Sequence, residues 1–273
     1  MKYLHETFTL RNGVKIPKIG YGTWQMFDGE KTVELLKKAL ESGYRHIDTA
    51  ALYENEASVG KAIRESKIPR KDLFITSKLQ SNIKSYDGTL KAFDETMEKL
   101  GLDVLDLYLV HAPAPWGESS RHYDDENLDV WKALEKVYHD GRVRAIGVSN
   151  FAVRDLKNLM MHSDIIPQVN QIPFYIGKNQ DELMAYCKEH NILIEAYSPF
   201  GVGRILDHPL IINTAKKYNV SPAQLAVRYC LMHDTLPLPK TKTPKRMIEN
   251  ADVDFTIEID DMKQLDALDY DVR

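Results

Sequence analysis

Several apolar, β-branched runs in this chain each stop on a polar residue, and a segment of helical period follows almost every one. The runs are Arg45 to Asp48, Leu73 to Lys78, Leu105 to His111, Val143 to Asn150, Pro167 to Gln171, Ile192 to Tyr197 and Leu236 to Lys240. Strands that alternate with helices pair in parallel, because each crossover returns the chain to the same direction. Parallel strands end on one shared face. In a (β/α)8 barrel that C-terminal face is where groups from different strands converge. The endpoints Asp48, Lys78, His111, Ser149, Asn150, Gln171, Tyr197 and Lys240 are therefore expected to line one site despite their separation in sequence.

The fold class expected is α/β, a (β/α)8 barrel spanning 1–273 as a single domain. At 273 residues the chain matches the usual size of such a barrel, and no linker or low-complexity tract interrupts the alternation from Ile19 to Asn250. Phe8 to Ile16 reads as two alternating strands around Asn12-Gly13, a pair that favours the positive φ angles of a two-residue hairpin; it is expected to close the bottom of the barrel. Helical spacing marks Asp28 to Glu41, Glu54 to Glu65, Tyr86 to Leu100, Glu126 to His139, Val153 to Met161 and Gln180 to His190. Asp207 to His233 divides into two helices, with Ser221 as cap and Pro222 in the first turn of the second, and a last helix covers Asp260 to Leu268. Pro113, Pro115, Gly117 and the polar stretch Glu118 to Asp125 form a loop that carries Trp116, His122 and Tyr123 over the site.

A net charge of -4 with both signs interspersed leaves no footprint for nucleic acid or anionic membrane, so the expected partner is a small molecule. Cys187 and Cys230 have no metal-ligand or redox spacing and read as buried thiols; no metal is expected. The start of the chain, Met1 to Glu6, has no apolar signal region and no run approaches a membrane span, which points to a cytoplasmic protein, taken as a monomer.

Asp48, Tyr53, Lys78 and His111 make chemical sense together. A tyrosine with a pKa near 10 is a proton reservoir but a sluggish acid. A lysine ammonium close to it favours the phenolate and is expected to lower its pKa, while an aspartate holds the lysine charged and oriented. His111 would orient a carbonyl oxygen or assist the proton transfer. There is no activated nucleophile, no Gly-x-Ser-x-Gly elbow and no metal-ligand cluster. The set suits protonation of an oxygen gaining negative charge, and a hydride donor would complete the reaction.

The stretch Gly43-Tyr44-Arg45-His46-Ile47-Asp48-Thr49-Ala50-Ala51-Leu52-Tyr53-Glu54-Asn55-Glu56, on to Gly60, resembles the first signature of the aldo-keto reductases. The similarity continues through Ile75 to Lys78, Leu109 to His111, Gly147 to Phe151, Asn170-Gln171, Ala196 to Pro199 and Pro239-Lys240-Thr241 to Arg246, Glu249 and Asn250, covering essentially the whole chain. The small prokaryotic members that reduce dicarbonyls, keto sugars and aromatic aldehydes are the most similar in pattern. The resemblance implies Tyr53 as general acid, tuned by Lys78 and Asp48, with His111 positioning the carbonyl. It also implies a nicotinamide dinucleotide across the barrel mouth: Tyr197 stacking on the nicotinamide, Ser149, Asn150 and Gln171 on its carboxamide, and the turn with Ser198 and Gly201 on the pyrophosphate. Gly22, Thr23, Phe200, Glu249 and Asn250 complete the implied contacts. Lys240, Thr241 and Arg246 would meet an adenosine 2′-phosphate at the helix opened by Thr243-Pro244, favouring NADPH over NADH. Trp24 and Trp116 are either walls of the substrate pocket or packing beneath loops.

The sequence departs from the family pattern at Ala112, at Ile172-Pro173-Phe174-Tyr175 and at Val202. Ala112, Phe174 and Tyr175 are expected to reshape the pocket, and Val202 to loosen the pyrophosphate clamp. The short C-terminal segment predicts an open pocket. Two other readings compete with an NADPH-dependent carbonyl reductase. One is a regulatory or structural protein of the same fold that binds the cofactor with little turnover. The other is a short-chain dehydrogenase, which would want Tyr-x-x-x-Lys beside a Rossmann glycine motif; Gly20-Tyr21-Gly22 is not such a motif.

Overall fold

The computed structural model describes residues 1–118 and 120–272. Ser119, within the loop expected from Glu118 to Asp125, and Arg273, within the expected domain, lie outside the described residues. In chain order the elements are β1 (Thr7–Thr9), β2 (Lys15–Pro17), β3 (Tyr21–Gly22), α1 (Glu30–Glu41), β4 (His46–Asp48), α2 (Glu56–Ser66), β5 (Phe74–Leu79), α3 (Tyr86–Leu100), β6 (Leu105–Val110) and α4 (Asp124–His139). There follow β7 (Val143–Ser149), α5 (Val153–Met161), β8 (Val169–Pro173), α6 (Asp181–Glu189), β9 (Leu193–Tyr197), α7 (Pro209–Lys217), α8 (Pro222–Met232), β10 (Leu236–Leu238), α9 (Pro244–Ala251) and α10 (Ile259–Asp266).

Strands β3 to β10 pair in sequence order, all in parallel, as an eight-stranded sheet. Two backbone hydrogen bonds bring its edges together, Gly20 N–H to Pro237 O at 3.1 Å and Gly22 N–H to Pro239 O at 3.2 Å. The sheet is thus a (β/α)8 barrel, as expected. Its first strand, β3, is only Tyr21–Gly22 and is too short and glycine-flanked to show an apolar run. Glycine is required at position 20, where a Cβ would stand 2.5 Å from Leu238 Cδ2 and 2.6 Å from His46 Nδ1.

Alternation along each strand sorts the core into two layers. Phe74, Leu107, Leu109, Ala145, Val169, Leu236 and Leu238 pack together inside the barrel. Their neighbours Ile75, Tyr108, Val110, Ile146 and Val148 face outward into a second core with Phe93, Met97, Trp131 and Leu134 of the helices.

The N-terminal hairpin is present and contributes Leu10 and Ile16 to the inner core. Asn12 Nδ2 donates to Arg144 O at 2.9 Å and Arg11 donates to His190 O at 2.8 Å, which seats the hairpin where β7 and β9 begin, opposite the strand ends. Its turn differs from the two-residue form expected. Gly13 N–H bonds to Leu10 O and Leu10 N–H to Val14 O, so the loop has three residues, and Gly13 alone among them has positive φ, at 84°. A tight turn closed by one left-handed glycine needs only that residue to be unbranched; Asn12 is then free to use its side chain on the barrel.

Helix ends follow local chemistry. Ser221 accepts from Gln224 N–H, with Pro222 in the first turn as the sequence suggested, and the Gln224 side chain accepts in return from Ser221 N–H, which makes the cap reciprocal. Gly60 of α2 lies so close to α3 that a Cβ there would be 2.1 Å from Leu100 O. Alanine ordinarily gains about 0.5–1 kcal/mol over glycine within a helix, but overpacking against backbone costs about 1–3 kcal/mol. Gly60→Ala is therefore expected to lower the urea midpoint; a midpoint unchanged or raised would show that the two helices part without cost.

Candidate active site

The inward-facing rows of β4 to β10 each place a polar side chain at or near the strand end. Rows of the same parity run Phe74, Thr76, Lys78 on β5, then Leu107, Leu109 and on to His111 past β6, Val169 and Gln171 on β8, and Leu193, Glu195 and Tyr197 on β9. The same alternation that places leucines in the barrel therefore delivers Asp48, Lys78, His111, Gln171 and Tyr197 to its C-terminal mouth. A cavity of about 970 Å3 opens there.

Lys78 is fully buried. Its Nζ donates to Asp48 Oδ1 at 2.7 Å and to Thr49 O at 2.8 Å, and it stands 5.0 Å from the centre of the Tyr53 ring. Burial alone would push the ammonium down, but Asp48 and then Tyr53 more than offset it, and Lys78 holds its proton more tightly than an ordinary lysine. The Tyr53 phenol behaves differently from the expectation. Burial raises it, the pull of Lys78 opposes this, Asp48 adds to the rise, and the net direction is upward. The ammonium is partly cancelled by its own aspartate, so it cannot overcome the desolvation of a phenolate. Tyr53 keeps its proton at neutral pH. His111 packs edge-on to Tyr53, with ring centres 5.8 Å apart, and to Trp116 at 5.6 Å. Burial, then Lys78, pushes its imidazolium down to about 3, so it is a neutral ring, and its Nδ1 is buried without a partner.

The next group of side chains forms a connected patch. Ser149 donates to Gln171 O at 2.8 Å, Asn150 Nδ2 donates to Ser149 Oγ and to His111 O, each at 3.0 Å, and the Tyr197 hydroxyl donates to Asn150 Oδ1 at 2.7 Å. Asn150 and Ser198 adopt positive φ of 61° and 51°. From here the cavity continues past Ser198, Phe200 and Val202 to Lys240, Thr241, Arg246, Glu249 and Asn250. Lys240 is half-buried, and burial lowers its pKa, with Lys242 adding to the effect. Tyr21 donates to Thr241 O and pins this end to the barrel. Trp24 and Trp116 both line the cavity, with 46% and 53% of their surface exposed.

Gly22, Trp24, Asp48, Tyr53, His111, Trp116, Ser149, Asn150, Gln171, Tyr197, Ser198, Phe200, Lys240, Thr241, Arg246, Glu249 and Asn250 all line this one cavity. Lys78, Thr23 and Gly201 do not. Thr23 is fully buried, with its hydroxyl donated to Asp48 O at 2.9 Å, so it shapes the site from behind. Gly201 is packed against Ile205 and Val272. The departures also fall differently from expectation. Phe174 stacks on Tyr229 in the outer core, Tyr175 donates to Asp271 Oδ1 at 3.0 Å, and buried Ala112 accepts from Lys84 at 2.9 Å. Side chains just beyond a strand end alternate outward as readily as inward, and none of these three faces the cavity. Val202 does line it, at a φ of 59° that is strained for a β-branched residue.

Two buried residues of the site escaped the sequence reading of individual roles. Asn55 donates to Thr23 O at 3.1 Å and Met26 O at 2.8 Å and accepts from Thr49 Oγ1 at 2.6 Å, fixing the loop that carries Trp24. Glu195 accepts from Gln171 Nε2 at 2.7 Å; a charged residue inside the otherwise apolar run Ile192 to Tyr197 was the available signal. Both thiols are buried, as expected; burial pushes Cys187 up to about 12 and Cys230 higher. No helix among the described residues is long and apolar enough to cross a membrane.

Fold and site together define an oxidoreductase built on a (β/α)8 barrel. The chain belongs to the aldo/keto reductase family, whose pattern matches residues 18–270. It is 44% identical over 271 residues to the glyoxal reductase of Bacillus subtilis, a match covering 99% of this chain and 95% of that one. Among solved structures, the aldo/keto reductase of Brucella melitensis superposes with a TM-score of 0.89 at 41% identity, covering 96% of this chain and 98% of the other. The Bombyx mori aldo-keto reductase, solved in complex with NADP, gives 0.86 at 32% identity over 96% and 92% of the two chains.

Proposed function

We propose that this protein reduces aldehydes and ketones to alcohols with NADPH, acting on small carbonyl compounds such as dicarbonyls, keto sugars and aromatic aldehydes. The observation that carries the reading is a phenol that keeps its proton, Tyr53, set between a buried Lys78–Asp48 pair and the open cavity. When bound, the reduced nicotinamide supplies a hydride to the carbonyl carbon. Tyr53 gives its proton to the oxygen, and Lys78 stabilises the phenolate left behind. Neutral His111 offers a hydrogen-bonding ring beside the same oxygen without competing as an acid. The residues suit a dinucleotide. Ser149, Asn150 and the Gln171 carbonyl present polar atoms where a carboxamide would lie, Tyr197 offers a ring face, and Lys240 and Arg246 meet at the far end of the same cavity. The glyoxal reductase named above and the NADP-bound relative support this assignment by similarity. A setting in the cytoplasm, with a small molecule as sole partner, goes with it.

Consumption of NADPH against a panel of those three carbonyl classes is the direct test. Tight NADPH binding with no turnover on any of them would replace the reading with a cofactor-binding role. A second expectation concerns cofactor choice. Each charge-assisted contact to a 2′-phosphate is worth about 1.5–3 kcal/mol, roughly 10- to 150-fold in affinity. Lys240→Ala combined with Arg246→Ala is expected to lower NADPH affinity by at least that much and leave NADH affinity nearly as it was. Equal losses for both cofactors, read by fluorescence titration, would reject the phosphate role.

A further inference from the structure

One layer below Asp48 lies a carboxyl that the reaction above does not use. Glu195 of β9 is fully buried and stands in register with Gln171 of β8 and Leu236 of β10. Its Oε2 accepts one hydrogen of Gln171 Nε2 at 2.7 Å, and the other goes to Asp48 Oδ2 at 2.8 Å. A primary amide has only two such hydrogens. Both are spent on carboxyls, which leaves the carbonyl oxygen of Gln171 as the end available to the cavity. Asp48 in turn reaches Lys78 through its other oxygen.

Glu195 Oε1 is buried without a hydrogen-bond partner. The closest ring nitrogen, His46 Nε2, is 3.9 Å away, too far for a hydrogen bond, and is engaged with Thr76 Oγ1 at 2.9 Å. The titratable groups that face Glu195 are Asp48 and His46 from β4 and Lys78 from β5, while β8 and β10 present neutral Gln171 and apolar Leu236. Burial, then Lys78, pushes the His46 imidazolium down to about 3, so His46 brings no charge. One ammonium therefore serves two carboxyls. Ionising both would leave a net negative charge in the barrel and a carboxylate oxygen with no donor, an arrangement the interior strongly disfavours.

We propose that Glu195 is a positioning residue that works in its uncharged form, holding the Gln171 amide with its carbonyl toward the cofactor space and leaving the charge of Lys78 to Asp48 and Tyr53. Loss of the Glu195 proton places a second anion against Lys78, weakens its hold on the Tyr53 phenolate and removes the driving force for proton transfer. Burial and then the Asp48 charge push the Glu195 carboxyl up to about 8, so the site fails as pH rises past that point. The kinetic half of this inference rests on the carbonyl-reductase reading; the protonation half does not.

The sign of the linked stability follows from the same shift. An unfolded chain ionises Glu195 near the ordinary 4.5 and the folded protein only near 8, so the unfolded state is favoured progressively as pH rises between those values. Glu195→Gln cannot ionise and escapes that loss. Urea midpoints of wild type and Glu195→Gln measured from pH 5 to pH 9 are expected to separate with rising pH, the variant gaining, and Glu195→Met is expected to gain in the same direction. Midpoints that move in parallel would overturn the proposal. In turnover, one pH unit above a single titration leaves about one-tenth of the protonated form. Wild type, about half protonated at pH 8, is expected to lose about fivefold in kcat between pH 8 and pH 9, with the descending limb displaced to higher pH in Glu195→Gln. An identical limb in both proteins would overturn the positioning role. A stability gap with no turnover in either protein would overturn the reductase reading and leave the proton on Glu195.

Discussion

Replacing Tyr53 with phenylalanine is expected to lower kcat for carbonyl reduction by about 100- to 10,000-fold, the span that a positioned general acid supplies, while NADPH binds almost as before. No neighbour takes over. The His111 imidazolium is pushed down to about 3, so at neutral pH its ring has no acidic proton to give. Lys78 is fully buried with donors committed to Asp48 and Thr49. The phenol, by contrast, lines the cavity and keeps its proton because burial and Asp48 together outweigh the pull of Lys78. That balance favours reduction, in which the proton must be present at the start. Single-turnover kinetics with a fluorescence titration of NADPH separates chemistry from binding; a variant within a few-fold of wild type in kcat would remove Tyr53 from its proposed role.

Lys78→Met is expected to cost about 3–5 kcal/mol of stability as well as most of the turnover. The pair is buried on both sides, and removing one partner leaves Asp48 with its charge and no cation, which is the expensive way to break a buried ion pair. Gln171 would still donate to Asp48 Oδ2, but a neutral amide does not replace an ammonium. In the proposed reaction turnover falls because the phenolate formed at Tyr53 loses the positive charge of Lys78. Adding Asp48→Asn removes the stranded anion and is expected to restore most of the stability without restoring activity. Denaturation midpoints for the single and double variants decide the matter. A double variant no more stable than Lys78→Met would show that packing of the lysine stem, and not charge, accounts for the loss.

Much of this site was legible along the chain because strand ends and side-chain parity are local. Asp48, Lys78, Gln171 and Tyr197 stand at the ends of apolar runs, and once those runs are read as parallel strands the residues have one place to meet. Some features escaped for reasons that are also local. Strand β3 is two residues long, so it had no run to show, and the hairpin loop holds one residue more than Asn12-Gly13 suggested because Gly13 alone supplies the left-handed turn. Thr23 and Phe174 carry the right chemistry or position for the cavity, yet Thr23 turns its hydroxyl to Asp48 O and Phe174 packs on Tyr229.

The charge state of the buried groups belongs to the folded barrel alone. Whether Tyr53 loses or keeps its proton, and whether Glu195 is ionised, depends on desolvation summed with the fields of Asp48 and Lys78, residues drawn from different strands. The sequence by itself determined the parallel barrel and most of the strand-end side chains that gather at its mouth, since those follow from periodicity and chain direction. Only tertiary structure decided the balance of charges there, because in an unfolded chain these groups are solvated by water and act on one another weakly, and in the closed barrel they are dry and a few ångströms apart.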